Sequence, residues 1–305
     1  MDYASLIDAE TWAFIHKTGE YYPPEAVEFS ISDQRRVYDT MCRAFFQGYP
    51  KSVSVTDGDV NGVPIRVYGV GAPQATVVYF HGGGFVVGGL DSHDDVCAEI
   101  FDRTGFRVVA VDYRLAPEHK HPAQFEDAWA ATQYVALTWP GTIMLAGDSA
   151  GGNLAAAVAH QARGRINIAG QLLVYPALGG DMGKGSYVVH ANAPMLTRAE
   201  VEYYAAIRVE GGEPTGDPTY APLHDITFAN LPPTFVITAE CDPLADDGRD
   251  YCDRICAAGG TAQWHNEQGL IHGFLRARTS VTRARESFDR MIAALRGFGA
   301  GDGPN

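Results

Sequence analysis

From Ala75 onward, short apolar runs alternate with stretches whose apolar residues recur at helical spacing. The runs are ATVVYF, RVVAVD, TIMLAG, IAGQLLVYP, TFVITA and, more weakly, TAQWHNE, each bounded by turn-forming residues. Runs this short that are apolar throughout suit strands buried on both faces. Helical patterns lie between them at about 91–104, 122–138, 150–163, 244–258 and 276–297. Strand and helix in alternation predict an α/β fold: a mostly parallel central sheet flanked by helices.

Two regions break the rhythm. SVSVTDGDVNGVPIRVYGV alternates apolar with polar and carries Asn61-Gly62 between its halves, which predicts a hairpin. Residues 1–48 before it read as amphipathic helices interrupted at Pro23-Pro24. Between Pro176 and Thr234 there is no strand-like run; the stretch is rich in Gly, Pro and Tyr, with one helical pattern near 198–209. It reads as an insertion packed over the sheet together with the N-terminal helices.

Composition narrows the function. A formal net charge of −14 argues against nucleic acid or an anionic membrane as partner. Five cysteines, Cys42, Cys97, Cys241, Cys252 and Cys256, are odd in number and irregularly spaced, so no disulfide framework is expected. Cys252 and Cys256 lie four apart on a predicted helix, where packing is the simpler reading than a metal site. The opening MDYASLIDAETWAF has no basic n-region and no long apolar stretch, and the expectation is a cytoplasmic protein without a secretory signal or transmembrane segment.

Ligands of open α/β sheets bind at the carboxyl ends of the strands, so the residues just after each strand carry the chemistry. ATVVYF is followed by HGGGF (His81 to Phe85), TIMLAG by DSAGG with Ser149, TFVITA by ECDPL with Asp242, and TAQWHNE by QGLIHGF with His272. Singly, each has a plain reading: G-x-S-x-G is a close strand–helix turn, Asp-Pro a turn, a lone histidine a structural one. Together they place serine, acid and histidine on one edge in the order of the α/β-hydrolase triad. Ser149 is then the nucleophile, His272 the general base and later acid, and Asp242 the carboxylate that orients the imidazole. Consecutive glycines let backbone N–H groups approach an oxyanion, so Gly83 and Gly84, with the N–H of Ala150, are the candidate donors. HGGGF does not extend to G-x-G-x-x-G, because Val87 holds the sixth position from Gly82.

Each post has rivals. Glu240, Asp246 and Asp247 compete with Asp242, which has the better loop position. His265 falls within the last strand and should project to a face. His93, His119 and His121 follow earlier strands; His119 and His121 could suggest a metal, but no acid or cysteine is arranged around them as a third ligand, and a structural role is the simpler reading. Phe85, Tyr203, Tyr204 and Ile207 are candidate pocket walls, with ordinary core packing an equal alternative.

HGGGFVVGGLDSHD, VDYRLAPEHKHPA, GDSAGGNLA, LLVYP, DPLADDG and HGF resemble the motifs of bacterial hormone-sensitive-lipase-like esterases of the α/β-hydrolase superfamily, in their usual order and over about residues 51–297. SDQRRVYD and GGLDSHD also resemble bacterial acetyl esterases of that family. The resemblance implies a triad of Ser149, Asp242 and His272, an oxyanion hole of Gly83, Gly84 and Ala150, and a supporting role for His81 and Gly82. It implies a helical cap built from 1–50 and 177–225 over a core of 51–176 and 226–298; the terminal GAGDGPN, 299–305, reads by itself as a disordered tail. No cofactor and no metal are implied. The expected function is hydrolysis of small esters of short acyl chains, acetyl to about hexanoyl, with a small-molecule ester as partner and a homodimer left open. An amidase, lactonase or carbamate hydrolase using the same triad is the alternative. A non-catalytic small-molecule receptor of the same fold is a more distant one, since such relatives have lost the histidine that this chain keeps.

Overall fold

The computed structural model describes residues 1–303. The alternating segment forms β1 (Val55–Val60) and β2 (Val63–Tyr68), an antiparallel hairpin turned at Asn61 and Gly62 with φ of 53° and 91°. Positive φ at both turn residues matches the right-handed twist of the flanking strands. The apolar runs form β3 (Ala75–Phe80), β4 (Arg107–Val111), β5 (Thr142–Asp148), β6 (Gly170–Val174), β7 (Thr234–Cys241) and β8 (Ala262–Ile271). They make one eight-stranded sheet in the order β1-β2-β4-β3-β5-β6-β7-β8, antiparallel at β1/β2 and β2/β4 and parallel elsewhere.

That order locates the site. The chain leaves β3 toward β4 on one side and leaves β5 toward β6 on the other. Neighbouring strands whose connections diverge open a crevice at their carboxyl ends. HGGGF and Ser149 are the residues that follow those two strands.

Helices cover both faces. α4 (Asp94–Thr104) and α10 (Thr282–Ala300) pack with Val77, Tyr79 and Val108 on one side. α5 (Ala123–Thr138), α6 (Ala150–Ala162) and α9 (Ala245–Ala257) pack with Val78, Phe80 and Val109 on the other. The alternation of side chains along each strand is what divides the core in two. The small residues Ala155, Ala156 and Ala157 of α6 are fully buried, which lets that helix lie close on the sheet.

Over the carboxyl edge lie the N-terminal helices α1 (Tyr3–Leu6), α2 (Ala9–Gly19) and α3 (Ile31–Phe45), and, from the insertion, α7 (Ser186–Val189) and α8 (Arg198–Ile207). Asp8 caps α2, Ser30 caps α3, and Thr197 with Glu200 forms a capping box on α8. Arg35 of α3 ties this layer to the core by donating from Nε to the Val86 carbonyl at 2.9 Å and from Nη2 to the Ala116 carbonyl at 3.1 Å.

Three expectations are corrected. The last helix begins at Thr282 and not at 276, because Phe274–Thr279 forms a 3-10 helix directly after the last strand. β8 runs through QGLI to Ile271, so His272 stands at its very end. Gly299 and Ala300 complete α10, with Gly301 as its left-handed cap, instead of starting a tail; residues 304–305 of that predicted tail lie outside the described residues. No helix among the described residues is long and apolar enough to cross a membrane.

Candidate active site

Ser149 stands between the end of β5 and the start of α6, with φ 53° and ψ −117°. A non-glycine residue rarely adopts this backbone, and the strain marks a sharp strand-to-helix turn. Its neighbours make the turn possible. A Cβ on Gly151 would collide with the Phe80 carbonyl, and one on Gly152 would stand 2.9 Å from Pro176 Cβ. The Ser149 N–H donates to the Val174 carbonyl at 2.8 Å, which fixes the turn against β6.

His272 arrives from the end of β8, and its Nε2 lies 2.9 Å from Ser149 Oγ. Its Nδ1 lies 2.7 Å from Oδ2 of Asp242, which follows β7 and is fully buried. The other Asp242 oxygen accepts the Leu244 N–H at 2.9 Å. A carboxylate at Nδ1 requires the proton there, which leaves the Nε2 lone pair to accept the serine hydroxyl. The His272 ring packs against Tyr175, centroids 4.6 Å apart.

The rivals are occupied elsewhere. Glu240 accepts the Gly269 N–H at 2.7 Å. Asp246 accepts the Ser186 N–H at 2.9 Å and pairs with Arg249. Asp247 accepts from Leu178 N at 2.7 Å and from the Tyr187 hydroxyl at 3.1 Å. His265 is exposed on β8 beside Phe235. His121 pairs with Asp217 at 3.0 Å, and the His119 carbonyl accepts from Gln124. Cys252 and Cys256 offer their thiols to backbone carbonyls of Gln263 and Ala262. Among the described residues no group of three or more His, Cys, Asp or Glu could hold a metal ion.

The glycine loop turns back over the serine. Gly83 and Gly84 have φ of 126° and 58°, and among the described residues their N–H groups, like that of Ala150, have no protein acceptor. Side chains are excluded there: a Cβ on Gly83 would run into the Val87 carbonyl, and one on Gly84 into the Tyr204 ring. Beneath the loop, Asp148 accepts from Gly82 N at 3.0 Å, the Tyr79 hydroxyl at 2.8 Å and His93 Nε2 at 3.2 Å. Burial disfavours its charge, but His93 and these donors outweigh it and hold the carboxyl down at about 2. His81 stacks on Tyr113 with centroids 4.3 Å apart, and its Nδ1 lies 2.8 Å from the Gly82 carbonyl. Burial, with His93 close by, pushes its imidazole down to about 4.

Ser149, His272, Gly83 and Gly84 open into a cavity of about 210 Å³. Its roof comes from Phe14, Thr18, Tyr22, Tyr38 and Met41 of the N-terminal segment and from Glu200, Val201, Tyr204, Ala205 and Arg208 around α8. Phe85 and Tyr204 line it, whereas Tyr203 and Ile207 do not. The reason is helical geometry. Positions 200, 204 and 208 share a face, and 203 and 207 lie one step around from it. The Tyr203 hydroxyl accepts from Gln34 Nε2 at 3.1 Å, and Ile207 packs against Val86, Val87 and Ala116. Sequence reading missed Arg208, which four-residue spacing from Tyr204 would have found, and Tyr22 and Tyr38, for which no local signal exists.

Residues 77–276 match the α/β hydrolase fold family. Carboxylesterase NlhH of Mycobacterium tuberculosis is 40% identical over 248 residues, 77% of this chain and 78% of that protein. Esterase LipI of the same organism is 41% identical over 256 residues, 79% of each. A hyperthermophilic esterase from Pyrobaculum calidifontis superimposes with a TM-score of 0.82 at 34% identity, covering 88% of this chain and 94% of that one. With the sheet order, the strained serine and the glycine loop already described, these likenesses settle the family: the chain belongs to the α/β-hydrolase fold, among its hormone-sensitive-lipase-like carboxylic-ester hydrolases.

Proposed function

We propose that the protein is a serine carboxylesterase that cleaves small esters of short acyl chains through an acyl-enzyme. The observation that carries this reading is the unbroken chain from Ser149 Oγ to His272 Nε2 (2.9 Å) and from His272 Nδ1 to Asp242 (2.7 Å), beside three N–H groups with no protein acceptor among the described residues. Ser149 Oγ attacks the ester carbonyl while His272 Nε2 takes its proton. The resulting oxyanion is met by the N–H groups of Gly83, Gly84 and Ala150, which need no reorganisation to receive it. The imidazolium is steadied by buried Asp242 and then gives its proton to the alcohol oxygen as the carbon–oxygen bond breaks. Water, deprotonated by the same histidine, attacks the acyl-serine and releases the acid.

The roof supports the preference for short chains. Tyr22, Tyr38 and Tyr204 line the cavity beside Ser149, and three bulky rings there favour a short acyl chain over a long one. A 4-nitrophenyl alkylphosphonate tests the nucleophile. Attack by Ser149 Oγ on phosphorus, with loss of 4-nitrophenolate, should add one phosphonyl group to the peptide containing Ser149. A modification on any other residue, with activity lost, would refute the assignment.

A further inference from the structure

Arg208 is a buried cation in the wall of the catalytic cavity with no carboxylate to answer it. It is 3% exposed, and among the described residues no Asp or Glu oxygen lies within salt-bridge distance. Its guanidinium is sandwiched between aromatic rings, 3.7 Å from the Phe85 centroid and 4.7 Å from that of Tyr220. Nη1 donates to the Tyr220 carbonyl at 3.1 Å, Nη2 reaches Asn153 Oδ1 only at 3.4 Å, and among the described residues Nε has no partner. Burial pushes its pKa down to about 10, which still leaves it charged at neutral pH.

The Nε–Nη2 edge is the one that grips a carboxylate with two parallel bonds. Elsewhere in this protein it is used that way. Arg66 donates from Nε and Nη2 to Asp57 at 2.7 and 3.0 Å, and Arg290 does so to Glu267 at 3.1 and 2.5 Å. At Arg208 the same edge is left without a full partner. The nearby acids are not available to it. Asp217 is bonded to His121 and Thr219, Glu200 caps α8, and Glu213 stands exposed at the cavity wall. Arg276, the other cation lining the cavity, differs: its Nη1 donates to the Ser92 carbonyl at 3.2 Å, and it is only partly buried.

An uncompensated buried charge is costly, and a ligand that supplies the counter-charge recovers that cost on binding. Asn153, which touches Arg208, lies four residues after Ser149 at the head of α6, a rise of about 6 Å. We propose that Arg208 is a specificity residue that receives a carboxylate of the substrate, so that the preferred esters carry an anionic group a few carbons from the ester bond. This rests on the esterase reading above and adds a substrate class to it.

Two matched pairs of substrates test the inference and tell apart the two halves of the ester. For a carboxylate in the acyl part, monomethyl glutarate is compared with its primary amide, methyl glutaramate. For one in the alcohol part, O-acetylglycolate is compared with O-acetylglycolamide. The expected result is at least a tenfold higher kcat/KM for the carboxylate member of one pair. Arg208→Gln should bring that ratio down toward one, and Arg208→Lys should keep an intermediate value. A ratio at or below one in both pairs for the unmodified protein overturns the proposal, as does a preference that survives in Arg208→Gln. Should Arg208→Gln not fold, inhibition of the unmodified enzyme decides: free glutarate must compete with 4-nitrophenyl acetate at least tenfold better than glutaramide, and equal inhibition overturns the proposal. Turnover of 4-nitrophenyl acetate without any anionic preference sinks only this inference; absence of turnover sinks the esterase reading itself.

Discussion

Asp148 Oδ1 accepts the N–H of Gly82 at 3.0 Å, so the residue before Ser149 also holds the glycine loop. One buried carboxylate thereby joins the ends of β3 and β5, and His93 Nε2 lies 3.2 Å from its other oxygen. Breaking such a pair by removing one partner leaves an unpaired buried group and costs about 3–5 kcal/mol. Asp148→Ala should lose stability on that scale in urea unfolding and lose turnover at temperatures where it remains folded. Unchanged stability would show that the pair is not what holds the loop.

Asp242→Asn tests the orienting carboxylate. The amide cannot hold the Nδ1–H tautomer of His272, and turnover should fall by about 10⁴ in kcat with binding little changed. A loss of less than about tenfold would move the acid's role to another residue.

Gly83→Ala tests the loop donors. Its backbone sits at φ 126°, and the added methyl would meet the Val87 carbonyl, so the N–H must shift. Loss of one such donor costs on the order of 10²–10³ in kcat. Far-ultraviolet circular dichroism should stay native, and an enzyme of full activity would remove Gly83 from the oxyanion hole.

Two buried groups give stability opposite pH dependences. The folded His81 is held at about 4 against about 6.5 in the unfolded chain, so between those values the unfolded state binds more protons. Its contribution is present above about pH 6.5 and lost toward about pH 4, a swing of about 3 kcal/mol. Asp247 is the reverse. Burial raises it to about 7, so it favours the fold below the unfolded carboxylate value near pH 4 and loses that contribution as pH rises to about 7. Relative to the unmodified protein, His81→Asn should gain stability on acidification from about pH 6.5 to 4. Asp247→Asn should gain it on raising the pH from about 4 to 7. Urea midpoints measured across that range check both signs.

Much of the site was legible because its chemistry sits where strands end. Ser149, Asp242 and His272 each follow an apolar run, so counting strands was enough to bring them to one edge. Asp242 could be chosen over Glu240 from its place in the loop, and the geometry agrees with that choice. The roof was harder. Tyr203 and Ile207 were drawn from the right helix but the wrong face, because nothing local tells which side of an amphipathic helix meets the cavity. Tyr22 and Tyr38 reach the site through contacts remote in sequence. The predicted helix from about 276 ran into the 3-10 turn at Phe274–Thr279, because the partners of Arg276 and Arg278, the Ser92 carbonyl and the Asp95 and Glu99 carboxylates, lie on another part of the chain.

The most direct test is hydrolysis of 4-nitrophenyl esters from acetyl to dodecanoyl by the unmodified enzyme and by Ser149→Ala. Fast turnover of acetyl to hexanoyl esters that falls with chain length and disappears in the folded variant is the predicted result. Turnover that persists in Ser149→Ala, or that rises toward dodecanoyl, would contradict a short-chain esterase acting through this serine.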